Sequence, residues 1–198
     1  MKHRKELENE FKRVATTDVL GRSIEWHESL SSTNSRAKEL AAEKTSEGTL
    51  VVADEQTEGR GRMGREWYSP AAEGLWFSVV LYPTQSMAEV PPMTIMVAEA
   101  VKAFLKKELD VNATIKEPND LLIDGKKVCG ILAEASTQAG ADFVDFVVIG
   151  IGLNLKTTFT DELKETATAL ASHVKDPLPP RTSLLAKLVE AIEERYLI

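Results

Sequence analysis

Residues 121–135, with the sequence LLIDGKKVCGILAEA, contain the strongest local signal for the fold. Asp124-Gly125 lies between two apolar runs, which is the pattern of a two-residue turn in a β-hairpin. We therefore predict a strand over residues 126–135 and a long partner strand for it over residues 143–155. This pair indicates a sheet that is antiparallel in at least this part.

Helices and further strands are predicted on both sides of the pair from the spacing of apolar residues. Ser31, Ser32 or Thr33 is available as the N-cap of the second helix. Strands joined by hairpins, with helices between groups of strands, indicate an α+β fold: a mixed, largely antiparallel sheet packed with helices, and not a doubly wound sheet. The predicted helices span residues 1–14, 33–42, 93–109, 162–171 and 183–196, and the other predicted strands span residues 23–27, 49–53, 75–81 and 111–115.

The composition limits both the domain count and the class of function. With 198 residues, 43% of them hydrophobic, the chain is expected to form one globular domain over residues 1–198. Its formal net charge of -7 argues against a DNA-binding surface, which needs clustered lysine and arginine. Residues 146–153 form the longest apolar run, far below the roughly 20 residues of a membrane span. The charged N-terminus lacks the apolar stretch of a secretory signal, so we expect a cytoplasmic protein.

Metal and disulfide chemistry based on cysteine is also excluded. Cys129 is the one cysteine of the chain, and it is accompanied by three histidines without ligand spacing. The surrounding residues Val128 to Ile131 indicate an ordinary core position in a strand.

Residues 58–70, EGRGRMGREWYSP, alternate arginine with glycine. Gly59, Gly61 and Gly64 satisfy the spacing of a dinucleotide-binding turn, but such a turn must open a helix, whereas this segment continues into Trp-Tyr-Ser-Pro. We predict a mobile loop whose glycines let the backbone approach a ligand and whose arginines bind oxyanions, such as a carboxylate and a phosphate. A solvated surface loop is the alternative.

Residues 116–120, KEPND, place a cation, an amide and a carboxylate around a proline between two predicted strands. Asp120 could hold a magnesium ion, which prefers carboxylate and phosphate oxygens. Taken alone, the segment also fits an ordinary turn with capping side chains.

Residues 148–154, VIGIGLN, form a strand interrupted by Gly150 and Gly152. Glycine inside a strand indicates either a bulge or the close approach of a ligand to the backbone. This segment alone does not favour one over the other. Lys127 in the neighbouring strand is uninformative by itself.

In combination, these segments are far more specific. SSTN at residues 31–34, Gln56 with GRGRMGREWYSP, KEPND, GKKVCGILAE at residues 125–134 and GIGLN at residues 150–154 occur in the order and spacing seen in biotin-protein ligases. The chain resembles their whole catalytic domain, from about Ser23 to the last helix. The resemblance implies the fold shared with class II aminoacyl-tRNA synthetases.

The resemblance also implies roles for individual residues. Lys127 matches the lysine that bridges the biotin carboxylate and the α-phosphate of ATP, so Lys127 and Arg62 are the implied catalytic residues. Asp120 is also the implied magnesium ligand. The implied biotin-binding residues are Ser32, Thr33, Gln56, Gly59, Arg60, Arg62, Lys127, Gly150 and Gly152, and the implied ATP-binding residues are Arg62, Arg65, Lys116, Asn119, Asp120, Lys127 and Asn154.

The implied reaction has two steps and needs no covalent enzyme intermediate. The biotin carboxylate attacks the α-phosphorus of ATP, and a lysine amine of an acceptor then attacks the acyl carbon of biotinyl-5'-AMP. The implied acceptor is the biotin carboxyl carrier domain of a carboxylase. Family members often form homodimers through sheet edges, which is therefore an expectation here.

The chain departs from the family pattern in three places. Glu117 stands where family members usually have tryptophan. About twenty residues precede the first family-like strand, too few for a helix-turn-helix domain, so DNA binding is not expected. The small C-terminal β-barrel domain of the family is expected to be absent.

Two other functions remain open at this stage. A lipoate ligase or octanoyltransferase has the same general fold, and some such transferases need a thioester cysteine, for which Cys129 is the sole candidate. A biotin-sensing module without catalysis is the other alternative.

Overall fold

The computed structural model describes residues 2–83, 90–137 and 143–197. These residues form four α-helices and seven β-strands. The helices are α1 (Lys2–Val14), α2 (Thr33–Ala42), α3 (Val90–Leu109) and α4 (Arg181–Tyr196), and the strands are β1 (Ile24–Leu30), β2 (Leu50–Gln56), β3 (Gly74–Leu81), β4 (Thr114–Lys116), β5 (Asp120–Ile123), β6 (Lys126–Ser136) and β7 (Phe146–Asn154). None of these helices is both long and apolar enough to cross a membrane.

The strands form one mixed sheet in the order β1-β2-β3-β7-β6-β5-β4. β1 and β2 are parallel, and every other neighbouring pair is antiparallel. The Asp124-Gly125 turn joins β5 to β6, and both residues have positive φ, as a two-residue hairpin turn requires. The predicted α+β sheet and the predicted pairing of the two long strands are confirmed.

One face of the sheet carries the main hydrophobic core. Along β7, Val147, Ile149, Ile151 and Leu153 are 0–2% exposed and belong to this core. α3 packs on the neighbouring strand β6 and α4 on β3, the two helices contact each other, and both contribute side chains to this core. Side chains alternate between the two faces of a strand, so the residues between these four must point to the opposite face.

The opposite face is only partly covered by apolar side chains. α2 packs there against Val51, Val80 and Val148 in a second, smaller cluster. Beyond Val148 the same side of β7 continues with Gly150 and Gly152, which present no side chain. At the end of the sheet next to the N-terminus of α2, side chains from other segments can therefore approach the backbone of β7 closely.

A β-bulge at the start of β6 determines where Lys127 points. Leu121 pairs with Cys129, but Leu122 pairs with Lys127, so Val128 is an extra residue in β6. If side-chain directions simply alternated from Cys129, the side chain of Lys127 would point into the main core. Because of the bulge, Lys127 points to the same face as Gly130. The strand irregularity considered for Gly150 and Gly152 is not found, since both pair in regular register.

The predicted helix over residues 162–171 is wrong. The segment contains turns, followed by a short 3-10 helix at Leu170–Ser172. Lys127 donates its backbone N–H to Thr166 O (2.8 Å), and Thr168 donates its N–H to Lys127 O (2.9 Å). These hydrogen bonds hold the segment against β6, so tertiary pairing overrides its helical spacing.

The other predicted elements are present, with ends that differ by at most three residues from the predicted bounds. Met1 of the first predicted helix lies outside the described residues. The strand predicted over residues 111–115 forms at Thr114–Lys116, because Val111 closes the end of α3 by donating its N–H to Leu105 O. β2 continues through Gln56, beyond its predicted end at residue 53.

Candidate functional site

Three glycines on neighbouring strands form the floor of the candidate site. Gly130 of β6 pairs with Gly152 of β7, and Gly150 of β7 pairs with Ser78 of β3. A side chain at Gly150 would overlap the amide of Asn34, and one at Gly152 would overlap the indole of Trp67. These positions need glycine because other side chains lie directly on the strand backbone.

The N-terminus of α2 forms a polar wall beside this floor. Ser32 is the N-cap residue of α2, but its side chain makes no capping hydrogen bond. Gln56 Oε1 accepts a hydrogen bond from the Thr33 N–H (2.9 Å), and Gln56 Nε2 donates one to Ser69 Oγ (2.9 Å). Gln56 thus joins α2 to the end of the arginine-glycine loop.

The arginine-glycine loop, residues 57–70, folds back over the floor. Gly61 N–H donates to Arg65 O (2.7 Å), and Trp67 N–H donates to Gly59 O (2.8 Å). A short 3-10 turn at Arg62–Gly64 lies at its tip, and no α-helix follows it, in agreement with rejection of the dinucleotide motif. The loop is a narrow hairpin in this structure.

Two of the loop arginines are held near the floor by polar side chains. Arg60 donates to Ser35 Oγ on α2 (2.7 Å), and Arg62 donates to Asn119 Oδ1 (3.4 Å). Asn119 in turn donates to Ile131 O of β6 (3.1 Å). The guanidinium groups therefore reach the floor from two directions.

Lys127 lies at the edge of the floor and is in contact with an acid and an aromatic ring. Its Nζ is 2.7 Å from Asp120 Oδ1, and it lies 4.9 Å from the centre of the Trp67 ring. Asp120 Oδ1 is buried and has no hydrogen-bond partner, so its contact with Lys127 is an ion pair without hydrogen-bond geometry. Lys127 therefore has an ion pair and a cation–π contact, both of which an anionic ligand can replace.

Trp67 covers the floor and was not among the predicted site residues. Its ring lies against Gly130 and Gly152 and packs edge-on against Trp76, with 6.3 Å between ring centres. Its buried Nε1 has no hydrogen-bond partner. An unpartnered buried donor is costly, so this N–H is available to a ligand oxygen.

Two cavities meet at Lys127 and Trp67. The glycine cavity has a volume of about 50 Å³ and the outer cavity about 460 Å³. Lys127 and Trp67 line both. The glycine cavity is lined by Ser32, Thr33, Asn34, Gln56, Arg60, Gly61, Arg62, Trp67, Asn119, Lys127, Gly130, Ile131, Leu132, Gly150, Ile151 and Gly152, and the outer cavity by Arg65, Glu66, Trp67, Tyr68, Lys116, Asp120, Leu122, Gly125, Lys127, Asn154, Phe159, Leu163, Glu165, Thr166 and Ala167.

The structure brings nearly all the predicted site residues to these two cavities. Gly59 lines neither, although its backbone holds the loop hairpin together. Asn154 lines the outer cavity, but its amide donates to Thr168 O (3.1 Å), so it also holds the segment after β7 in place. Glu117 is exposed and lines neither cavity.

Sequence reasoning missed Trp67, Asn34 and Gly130 at the glycine cavity. Each of them lies inside a segment that carries the resemblance, so the signal was present, but no role followed from the residue type alone. Within residues 2–83, 90–137 and 143–197, no group of three or more His, Cys, Asp or Glu side chains could hold a metal ion.

The site thus consists of a mixed sheet on which Lys127 lies between a polar, glycine-floored cavity and a larger cavity. Residues 26–154 match the Biotin/lipoate A/B protein ligase family, and the chain belongs to this family. The resemblance predicted from the motifs is thereby confirmed.

Individual relatives agree with this assignment. The chain is 41% identical over 192 residues to the bifunctional ligase/repressor BirA of Bacillus subtilis, covering 96% of this chain and 58% of that protein. It is 31% identical over 157 residues to the human biotin--protein ligase, covering 74% of this chain and 21% of that protein. In structure it resembles the Aquifex aeolicus biotin protein ligase solved with biotin and ATP, with a TM-score of 0.75, 31% identity, and coverage of 88% of this chain and 70% of that one.

Proposed function

We propose that this chain is the catalytic domain of a biotin-protein ligase, which makes biotinyl-5'-AMP from biotin and ATP and passes the biotin to a lysine of an acceptor protein. One observation carries the proposal: Lys127 lines both the glycine cavity and the outer cavity. A carboxylate held in one cavity and a phosphate held in the other would meet at this ammonium group. The Aquifex aeolicus ligase, which was solved with biotin and ATP, supports these molecules as the two ligands.

Biotin is assigned to the glycine cavity. The ureido ring has both N–H donors and a carbonyl acceptor, and Ser32, Thr33 and Gln56 offer matching hydroxyl and amide groups. Arg60 and Arg62 lie nearby for the carboxylate end. The present cavity of about 50 Å³ is far below the roughly 300–1,000 Å³ of ligand pockets, so Trp67 and the arginine-glycine loop must move when biotin enters.

ATP is assigned to the outer cavity. Its volume of about 460 Å³ lies within the usual range for ligand pockets. Tyr68, Phe159 and Leu163 offer an apolar wall for a base, while Arg65 and Lys116 offer cations for phosphates. Asn119 and its partner Arg62 line the glycine cavity and not the outer one.

A magnesium ion that arrives with ATP fits the available donors. Magnesium is commonly held by one or two carboxylates together with substrate phosphates, and Asp120 supplies one carboxylate at the outer cavity. The ion would neutralise phosphate charge. Asp120 is also the group that holds Lys127 before ligands bind, so engaging Asp120 elsewhere would free the ammonium group.

The chain then acts mainly by positioning and neutralising charge. The biotin carboxylate and the α-phosphate repel each other, and Lys127 between the cavities offsets this repulsion as the new P–O bond forms and pyrophosphate leaves. Arg62 adds a second cation on the loop side. The loop then closes over the mixed anhydride and shields it from water until an acceptor lysine amine attacks the acyl carbon and AMP leaves.

The proposed acceptor is the biotin carboxyl carrier domain of a carboxylase. The relatives named biotin--[acetyl-CoA-carboxylase] ligase support this class of partner. We propose a cytoplasmic enzyme that can form a homodimer, and no DNA partner for these residues, given the formal net charge of -7.

Mass spectrometry of the protein incubated with biotin, ATP and magnesium tests the proposal. Biotinyl-5'-AMP is expected, and omission of ATP is the matched control. A protein that binds biotin equally with and without ATP and forms no adenylate is a sensor and refutes the ligase function. In parallel incubations that contain lipoate or octanoate instead of biotin, formation of lipoyl- or octanoyl-AMP by a protein that makes no biotinyl-5'-AMP refutes the assignment of biotin.

A further inference from the structure

Residues 155–168, here called the strap, form one wall of the outer cavity. They lead from the end of β7 back to β6 and consist of bends, turns, irregular residues and one isolated bridge. The strap residues that line the cavity are Phe159, Leu163, Glu165, Thr166 and Ala167. Because the strap is irregular, its position depends on the hydrogen bonds that it makes with other segments.

Main-chain hydrogen bonds hold the end of the strap against β6. Lys127 donates its N–H to Thr166 O (2.8 Å), and Thr168 donates its N–H to Lys127 O (2.9 Å). The side chain of Lys126 adds a hydrogen bond to Lys164 O (2.7 Å). Since the main-chain bonds do not depend on any side chain, this end of the strap stays in place when Lys126 is replaced.

Glu73, the residue before β3, holds the start of the strap in two ways. Its main-chain carbonyl accepts hydrogen bonds from Leu155 N–H (3.2 Å), Lys156 N–H (2.9 Å) and the Thr157 hydroxyl (3.2 Å). Its carboxylate oxygen Oε2 accepts one from Thr158 N–H (2.5 Å). The carbonyl bonds are available to any residue at this position, so the specific contribution of glutamate is the charge-assisted bond to Thr158.

The bond from Thr158 fixes the part of the strap that carries the aromatic side chain. Within the residues that the structure describes, it is the only hydrogen bond from residues 158–163 to a residue outside the strap. Phe159, which follows directly, is partly buried and lines the outer cavity. Without the carboxylate, Phe159 would lie on a span that is held only at Thr157 and Lys164.

We infer that Glu73 is a positioning residue for the ATP site: it holds Thr158, and thereby the neighbouring Phe159, without touching the nucleotide. This inference rests on the proposed function, which assigns ATP to the outer cavity. Glu73 itself lines neither cavity. Its negative charge repels phosphates, so its contribution to ATP affinity must come from the position of the wall.

Glu73→Ala tests the inference, because it removes the carboxylate and keeps the main-chain carbonyl. We expect the KM for ATP, measured by pyrophosphate release at saturating biotin, to rise about three- to tenfold through loss of one hydrogen bond. The kcat should stay within about twofold, because the wall binds ATP and the transition state equally. The dissociation constant for biotin without ATP and the Tm should stay close to those of the wild type, whereas a merely structural role would change both.

Glu73→Gln and Lys126→Ala are the matched controls. The glutamine side chain of the first variant keeps an oxygen that accepts the Thr158 N–H, so its KM for ATP is expected within about twofold of the wild type. Because both Glu73 variants lose the charge, their comparison separates the hydrogen bond from electrostatic repulsion. Lys126→Ala removes a side-chain bond at the end of the strap that main-chain bonds also hold, so its KM for ATP should match that of the wild type.

Hydrogen exchange of the Thr158 amide measures the positioning directly and needs no nucleotide. By NMR, this amide is expected to exchange faster in Glu73→Ala than in the wild type and in Glu73→Gln. A wild-type protein that forms no biotinyl-5'-AMP refutes the proposed function, whereas the exchange rates still show whether Glu73 holds the strap. The inference is overturned if Glu73→Ala keeps the wild-type KM for ATP, if Glu73→Gln is as impaired as Glu73→Ala, or if the amide exchanges equally in all three proteins.

Discussion

The two faces of the nine-residue strand β7 carry side chains of opposite kinds. Toward α3 and α4, Val147, Ile149, Ile151 and Leu153 fill a close-packed core. Toward α2 and the arginine-glycine loop, the strand presents Val148, then Gly150 and Gly152. The first face supplies stability. On the second face the strand contributes no side chain at the two glycines, and Asn34 and Trp67 lie directly on its backbone instead.

The largest effect is expected from removing the cation at the edge of the glycine face. Lys127→Ala should reduce adenylate formation, measured as pyrophosphate release, by about 10²–10³-fold or more, because the repulsion between the two anions is no longer offset. The Tm should stay close to that of the wild type. Lys126→Ala is the matched control, since Lys126 contacts Lys164 O instead. Normal pyrophosphate release by Lys127→Ala refutes its assignment.

A truncation on the core face should separate stability from ligand binding. Ile149→Ala removes a fully buried side chain and should lower the free energy of unfolding by about 2–5 kcal/mol in chemical denaturation. The protein that remains folded should bind biotin as the wild type does, because Ile149 lies on the other side of the strand. A loss of biotin affinity comparable to that of a glycine-face variant contradicts the division between the two faces.

The opposite result is expected for an added methyl group on the glycine face. Gly152→Ala places a Cβ where the Trp67 ring lies, and overpacking of this kind costs about 1–3 kcal/mol, here at the expense of the ligand site because Trp67 belongs to a loop that can shift. Biotin affinity should fall about tenfold to a hundredfold, with a small change in Tm. A large drop in Tm with unchanged biotin affinity would show that Gly152 contributes to stability and not to the biotin site.

Cys129 lies on the core face, and its substitution tests whether that face takes part in the reaction. Burial raises the pKa of its thiol well above the ordinary value, so the thiol is protonated at neutral pH and unsuited to form a thioester. Cys129→Ser should keep full adenylate and transfer activity while losing about 1–2 kcal/mol of stability from burying a hydroxyl. Loss of transfer with intact adenylate formation would revive the octanoyltransferase alternative.

The smallest effect is expected where the chain departs from the family pattern. Glu117 is exposed and lines neither cavity, so Glu117→Trp should change the dissociation constant for biotin by less than about twofold. Calorimetric titration of both proteins under the same conditions measures this. A tighter complex in Glu117→Trp would show that position 117 contributes to the biotin site.

Sequence patterns predicted most of the fold and the segments that meet at the site. The Asp124-Gly125 turn and the apolar spacing were sufficient for the paired strands, because turn chemistry and alternation are local. The bulge at Val128 was not predictable, since it depends on the pairing of β6 with two different partners. The same pairing overrode the helical spacing of residues 162–171. The positions of Trp67 over Gly152 and of Asn34 over Gly150 arise from contacts between distant segments, which no local pattern encodes.

The most direct test of the glycine face as a biotin site is a calorimetric titration of the folded wild-type protein with biotin. Saturable binding of one biotin per chain is expected, with tighter retention when ATP and magnesium are present. The contradicting result is a protein that unfolds cooperatively on heating but gives no detectable heat of binding at any biotin concentration. That result would refute the account of the glycine face as a biotin site.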